Sequence, residues 1–365
     1  MPDLRPRILA VRLDSLGDVL LTGPALRALA HGSSRLELLV SPAGAPAAEL
    51  LPGLDDVLTF DAPWTGFRPP PVDAPALLHL IEDLSRRRYD EAVIFTSFHQ
   101  SPLPMALVAR LAGIPRVIAT SEDYAGSLLD VRHRRLEDGA TDTGGAEGGH
   151  EVLAALALCR AAGYGPAPED DLRLRVKPSG GQADPIPDLP ASYVVVHPTA
   201  SVPSRSIDER QLAEMSTGLT EAGWTVVVTG ETTAAGIETA GPLDHPGVID
   251  VRGRTTFAEL TRVLEAAACV VAVNSGPGHL AAAVGTPVVS LFAPVVPVER
   301  WGPWGVPSRV LGDQEAPCRG TRARLCPVPG HPCLSSVSVA ELVAAVNAIV
   351  VSGPPEQAED QVVVA

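Results

Sequence analysis

Short, uninterrupted apolar runs recur along this chain, each followed after a turn by a stretch of helical period. That alternation limits the open folds more than any other feature. Apolar runs bounded by turn residues are the pattern of strands buried on both faces, and interleaving them with helices implies a parallel sheet covered on both sides. In the first half the strand candidates are 8–13, 36–40, 57–60 and 92–96, with a weaker one at 117–119. The helical stretches there are 18–30, 43–51, 74–87 and 103–112. Residues 137–149 are Gly-rich and polar, as in a surface loop, and a helix at 150–163 carries Leu153, Leu156 and Leu158 on its apolar side.

A second series begins at 193. It reads strand 193–197, helix 208–222, strand 224–229, helix near 233–240, strand 247–250, helix 256–267, strand 269–273, helix 278–284 and strand 287–292. Between the series lies KPSGGQADPIPDLPAS, residues 177–192, with the Pro, Gly and polar content of a linker. The expected organisation is an N-terminal domain over 1–176, the linker, a C-terminal domain over 193–337, a helix at 338–351 and a disordered tail over 352–365. A length of 365 residues suits two domains, and 45% hydrophobic content supplies two cores.

Charge and patterning exclude several classes. A net charge of −15 argues against nucleic acid, which needs a basic footprint, and against docking to an anionic membrane through the whole surface. Ile8 to Leu13 is too short for a signal-peptide core, and Asp14 interrupts it. Gly285, Pro287 and Pro294 break the apolar stretch 279–297, so it is not read as a membrane span. A cytoplasmic location is expected. Five cysteines, an odd count, do not make a disulfide framework. Cys318, Cys326 and Cys333 with His331 match a zinc set in type but lack paired C-x-x-C spacing. A packed or disulfide-capable loop is the simpler reading of them, and Cys159 and Cys269 read as core residues.

Two segments carry chemistry. After the run Cys269–Val273 comes the turn Asn274-Ser275-Gly276-Pro277-Gly278, a short helix from His279 to Val284, Gly285, and a strand over Pro287–Phe292. A strand–turn–helix of this kind presents unpaired backbone N–H groups at a positive dipole end, which suits a phosphate. It equally describes a βαβ unit with small residues where helix meets sheet. The other segment is RILAVRLDSLGDVLLTGPALRAL, residues 7–29, in which strand, tight turn and helix start again follow one another. The early V-R-L-x-S-L-G-D-V pattern paired with the late N-S-G-P-x-H-L-A-A-A-x-G-x-P closely resembles glycosyltransferase family 9, the heptosyltransferases. The likeness runs from about residue 7 to about 350, with only these two blocks specific.

The resemblance implies an α/β chain of GT-B type, two Rossmann-like parallel-sheet domains facing a central cleft. It also implies an inverting, metal-independent glycosyltransferase, without cofactor, that moves a sugar from a nucleotide-sugar donor, ADP-heptose, to a glycan or small-molecule acceptor. The protein is expected to be a monomer touching the inner membrane surface transiently. Asp18 matches the family's Asp in S-L-G-D, taken there as the base that deprotonates the acceptor hydroxyl. By position alone Asp18 is a first-turn acid that caps a helix. Arg12, before the same turn, is either an acceptor contact or a surface charge, and Ser15 in the turn is assigned to the acceptor. Asp14 sits at a variable position and reads as a turn or cap residue.

On the donor side, HPTASVPSRSID resembles the family's phosphate-contacting H-P-x-A…K/R-x-W-P segment. Thr199 is assigned to a phosphate oxygen and Arg205 to the leaving diphosphate, which Arg can contact bidentately. This chain has Arg205, Ile207 and Asp208 where the family pattern has Lys, Trp and Pro. Glu231 follows a strand end, where a ribose diol would be held, or is a solvated loop acid. Asn274, Ser275, Gly276 and His279 complete the donor set. Many family members have Asp at the position of Asn274. Segment 252–256 resembles the loop beside the adenine, and Trp301 and Trp304 either frame the cleft or pack. Rival readings are a nucleotide-sugar epimerase of the same fold and a catalytically silent nucleotide-binding protein. A nicotinamide dehydrogenase is weaker, since no G-x-G-x-x-G follows the first strand.

Overall fold

The computed structural model describes residues 4–352 apart from 67, 98, 136–148, 179–188, 232, 235–236, 239–242 and 244. The expected loop 137–149, the linker 177–192 and the tail 352–365 lie largely outside those residues. The chain divides into two compact units, one ending at Lys177 and the other beginning at Pro178.

In the first unit, β1 (Arg7–Arg12), β2 (Arg35–Val40), β3 (Asp56–Thr59), β4 (Glu91–Phe95), β5 (Arg116–Thr120) and β6 (Val131–His133) form one sheet. Its order is β3-β2-β1-β4-β5-β6, and every pairing is parallel. The intervening helices are α1 (Leu16–Leu21), α2 (Gly23–Gly32), α3 (Ala45–Leu50), α4 (Ala74–Arg87), α5 (Leu103–Leu111) and α6 (Glu151–Ala161). Ile8 to Val11 is wholly buried, as a central parallel strand covered on both faces should be. Leu9, Val11 and Ile94 pack with Met105 and Val108 of α5 into one core.

Two local expectations fail for identifiable reasons. The helix read over 18–30 is two helices that meet at Thr22. Pro24 cannot donate inside a helix, so a new one starts there, with Leu26 N–H donating to Thr22 O at 3.0 Å. Strand β6 was not anticipated. It is a three-residue edge strand, VRH, too short and too charged for an apolar run.

The second unit repeats the design. Strands β7 (Val194–His197) and β8 (Val226–Val228), the two-residue pieces β9 (Thr233–Ala234) and β10 (Ile237–Glu238), then β11 (Val248–Asp250), β12 (Cys269–Val273), β13 (Val288–Leu291) and β14 (Ser308–Leu311) occur in that order. The main sheet runs β11-β8-β7-β12-β13-β14, again all parallel. Of the helix expected near 233–240, none of the described residues is helical. Among the described residues there, β9 and β10 pair antiparallel. Edge strand β14 was likewise not anticipated from its sequence, SRVL.

Helices α7 (Glu209–Glu221), α8 (Phe257–Glu265), α9 (Gly276–Ala283), α10 (Val298–Trp301), α11 (Pro332–Ser335) and α12 (Val339–Ser352) surround this sheet. Leu212, Met215 and Leu219 of α7 and Leu342, Val346 and Ile349 of α12 share a core with β7, β8 and β12. Among the described residues no helix is long and apolar enough to cross a membrane.

Both main sheets therefore follow one winding, in which the first and fourth strands of each are central neighbours and the order reverses between them. Ligands of open α/β sheets bind beyond the carboxyl ends of the strands at such a reversal. In the first unit that point lies after Arg12 and Phe95; in the second it lies after His197 and Val273. Both sequence motifs fall there.

Candidate active site

Arg12 occupies the last ladder position of β1, opposite Val40 and Phe95, and is 3% exposed. Its Nε lies 2.8 Å from Asp14 Oδ2, while Nη2 lies 3.2 Å from Asp18 Oδ1 and donates to Ser97 Oγ at 3.1 Å. Glu151 Oε2 of α6 approaches the same Nη2 at 3.7 Å, and its Oε1 sits 2.9 Å from Arg135 Nη1. Glu151 and Arg135 are themselves buried. Arg12 is thus not a surface charge. Its guanidinium faces protein carboxylates.

Asp18 is the third residue of α1, and Ser15 is the N-cap. Ser15 donates to Asp18 Oδ2 from Oγ at 2.7 Å and from its backbone N–H at 3.3 Å. The capping geometry is therefore present. Glu259 in α8 and Glu341 in α12 reach back to Thr256 and Ser338 in the same way. A cap alone does not call for Arg12, and the Asp18 side chain is only 15% exposed. Ser15 is exposed beside it.

Asp14 differs from the turn residue expected. It is buried, and burial pushes its carboxyl up to about 6 despite the opposing pull of Arg12. The Gln100 side chain also hydrogen-bonds it. Glu151 was not singled out in the sequence. An acid at a helix start is an ordinary feature, and only the fold brings it to Arg12.

In the second unit, the ladder pairs Ala272 with His197, so Thr199 and Asn274 each lie two residues beyond a matched position on neighbouring strands. His197 is buried with Nδ1 3.0 Å from Thr229 Oγ1, and burial pulls its pKa down to about 4, leaving the ring neutral at pH 7. Gly230 has φ +125, and a Cβ there would stand 3.1 Å from Thr199 Oγ1. Glycine lets the end of β8 close against Thr199. Glu231, the next residue, is exposed.

Asn274 is 7% exposed and grips the Ala293 backbone with both ends of its amide: Nδ2 donates to Ala293 O at 3.3 Å, and Oδ1 accepts from Ala293 N–H at 3.4 Å. A carboxylate could not donate to that carbonyl, which gives the amide a packing reason. Ser275 is the N-cap of α9, with Gly276 and Pro277 in the first turn, and His279 is buried within the helix. Arg205 is half-buried on the 3-10 turn Pro203–Arg205.

That turn is held by a distant segment. Ser204 donates from N–H to Arg324 O at 3.0 Å and from Oγ to Ala323 O at 2.5 Å, and His331 Nε2 lies 2.9 Å from Ser204 O. His331 thereby helps to fix the turn bearing Arg205. Cys318 and Cys333 are fully buried, and burial, reinforced by the adjoining Cys318 thiol, pushes Cys333 up to about 12. Among the described residues no group of three His, Cys, Asp or Glu is arranged to hold a metal ion. Arg252 is buried between Asp250, at 2.7 Å, and Glu209, at 2.9 Å. Trp301 packs on Phe292, Val296, Val298 and Val310.

The model of glycosyltransferase family 9 (heptosyltransferase) matches residues 77–330. Lipopolysaccharide heptosyltransferase 3 of Escherichia coli is 32% identical over 168 residues, 44% of this chain and 48% of that protein. The chain therefore aligns with about half the length of that relative. Lipopolysaccharide heptosyltransferase 1 of Pseudomonas aeruginosa is 28% identical over 321 residues, covering 80% of this chain and 79% of the relative. Among solved structures, the E. coli ADP-heptose lipopolysaccharide heptosyltransferase II superposes with a TM-score of 0.69 at 19% identity, over 95% of this chain and 99% of that one. The α/β architecture of two Rossmann-like parallel-sheet units is that of the GT-B fold.

Proposed function

Since the chain belongs to glycosyltransferase family 9, we propose that it transfers a heptose from ADP-heptose to a hydroxyl of a glycan acceptor, with inversion at the anomeric carbon. The acceptor oxygen forms a bond to that carbon as the bond to the diphosphate breaks and ADP leaves with the electron pair. Asp18 takes the hydroxyl proton. Thr199, Arg205 and the start of α9 at Ser275 and Gly276 meet the charge that builds on the departing phosphate, with His279 behind them. Glu231 holds the ribose. Ser15 contacts the acceptor. Arg205 and the helix start take the part that a divalent ion plays in other transferases.

One observation carries this reading: each motif ends a strand where its own sheet reverses order. The test is turnover of ADP-heptose with a lipopolysaccharide core acceptor by the full chain, with and without EDTA. Asp18→Asn should lower kcat by about 100-fold or more, with ADP affinity unchanged and EDTA without effect. Full turnover by Asp18→Asn would remove the base, and donor consumption without acceptor would make the protein an epimerase or hydrolase.

A further inference from the structure

We infer that Arg12 is a positioning residue for Asp18, held in place by Asp14 and Glu151, so that the catalytic carboxylate is aimed by a buried charge cluster. This rests on the reading of Asp18 as the base. A carboxylate in a first helical turn can rotate about χ1 and χ2, and Ser15 fixes only Oδ2. The second anchor, Arg12 Nη2 on Oδ1 at 3.2 Å, fixes the plane of the group. Anchors on both oxygens restrict rotation of the group.

The anchor is itself immobilised. Nε is held by Asp14 at 2.8 Å, and Nη2 also meets Ser97 at 3.1 Å and Glu151 at 3.7 Å. Asp14 in turn is tied by the hydrogen bond from Gln100, and its carbonyl accepts from Ser41 Oγ at 2.7 Å. Arg135 holds Glu151 from behind at 2.9 Å. The cluster draws on β1, α1, α6, the turn after β4 and the segment after β6. A surface cap requires none of this. Taking a charge out of water is unfavourable, so each member of this network depends on its partners.

The experiment compares Arg12→Lys, Asp18→Asn and the double variant in the full chain, with thermal unfolding to establish folding and calorimetry to read ADP affinity. Lysine keeps the charge but cannot reach Asp14, Ser97 and Asp18 together. Arg12→Lys should lower kcat by about tenfold or more while KM for the donor and the Kd for ADP stay within about twofold. In the Asp18→Asn background the same substitution should cause no further loss, because Arg12 acts through Asp18. Glu151→Gln is the milder companion. It should lower kcat by about threefold or more, and again have no effect once Asp18 is Asn; if Arg12→Lys does not fold, this pair decides.

An Arg12→Lys or Glu151→Gln enzyme with unchanged kcat, or losses that multiply in the double variants, would overturn the positioning role. Full turnover by Asp18→Asn would instead sink the base. The two failures are separate.

Discussion

At the residue scale, the most legible position was Asp18 and the least legible were its neighbours. The motif around Asp18 is contiguous, so a single stretch of sequence carried it. Arg12 was visible but its full surroundings were not, because Glu151 comes from α6, far along the chain. Asn274 was read as a change in donor contact, whereas its amide closes a two-way hydrogen bond with Ala293. Asn274→Asp should lose the bond to Ala293 O and bury a charge, costing about 1–3 kcal/mol in denaturant unfolding.

His197 supplies a pH test. Its folded pKa, about 4, lies below the ordinary 6.5, so its contribution to stability is complete above about pH 6.5 and declines as pH falls toward 4. The difference of about 2.5 units corresponds to at most roughly 3 kcal/mol. Asp14 slopes the other way: its raised pKa favours the folded state at low pH and ceases to do so as pH rises toward 6. The two partly offset in the parent. The histidine is therefore read as a difference, with His197→Gln expected to lose less stability than the parent between pH 6.5 and 4.

At the element scale, helices and central strands were legible because buried parallel strands are continuous apolar runs. Edge strands β6 and β14 escaped for the converse reason, being short, polar and paired on one side only. The division of the first long helix was legible in principle from Gly23-Pro24. Packing between elements was not legible. Gly218 of α7 faces α12, where a Cβ would stand 2.0 Å from Val339 Cγ1. Alanine is the better helix former by about 1 kcal/mol, yet Gly218→Ala should destabilise by about 1–3 kcal/mol because the clash outweighs that gain. Adding Val339→Ala should restore part of the loss, as melting curves of the single and double variants would reveal.

At the scale of the whole molecule, two series of alternating elements in the sequence correspond to two units with separate cores, one around Val11 and Ile94 and one around Val196 and Val271. The second unit holds every residue assigned to the donor. Expressed from 189 to 352, it should fold and bind ADP within about tenfold of the full chain, while transferring nothing. Failure to bind as a folded fragment would place part of the nucleotide site in the first unit.

Within each main sheet all strands run the same way, so every turn leaving a strand's carboxyl end opens on a single rim. The stretch 121–130 is one such turn, and lengthening it would leave the ladder register behind it intact. New turns can therefore be spliced at that rim onto an existing frame.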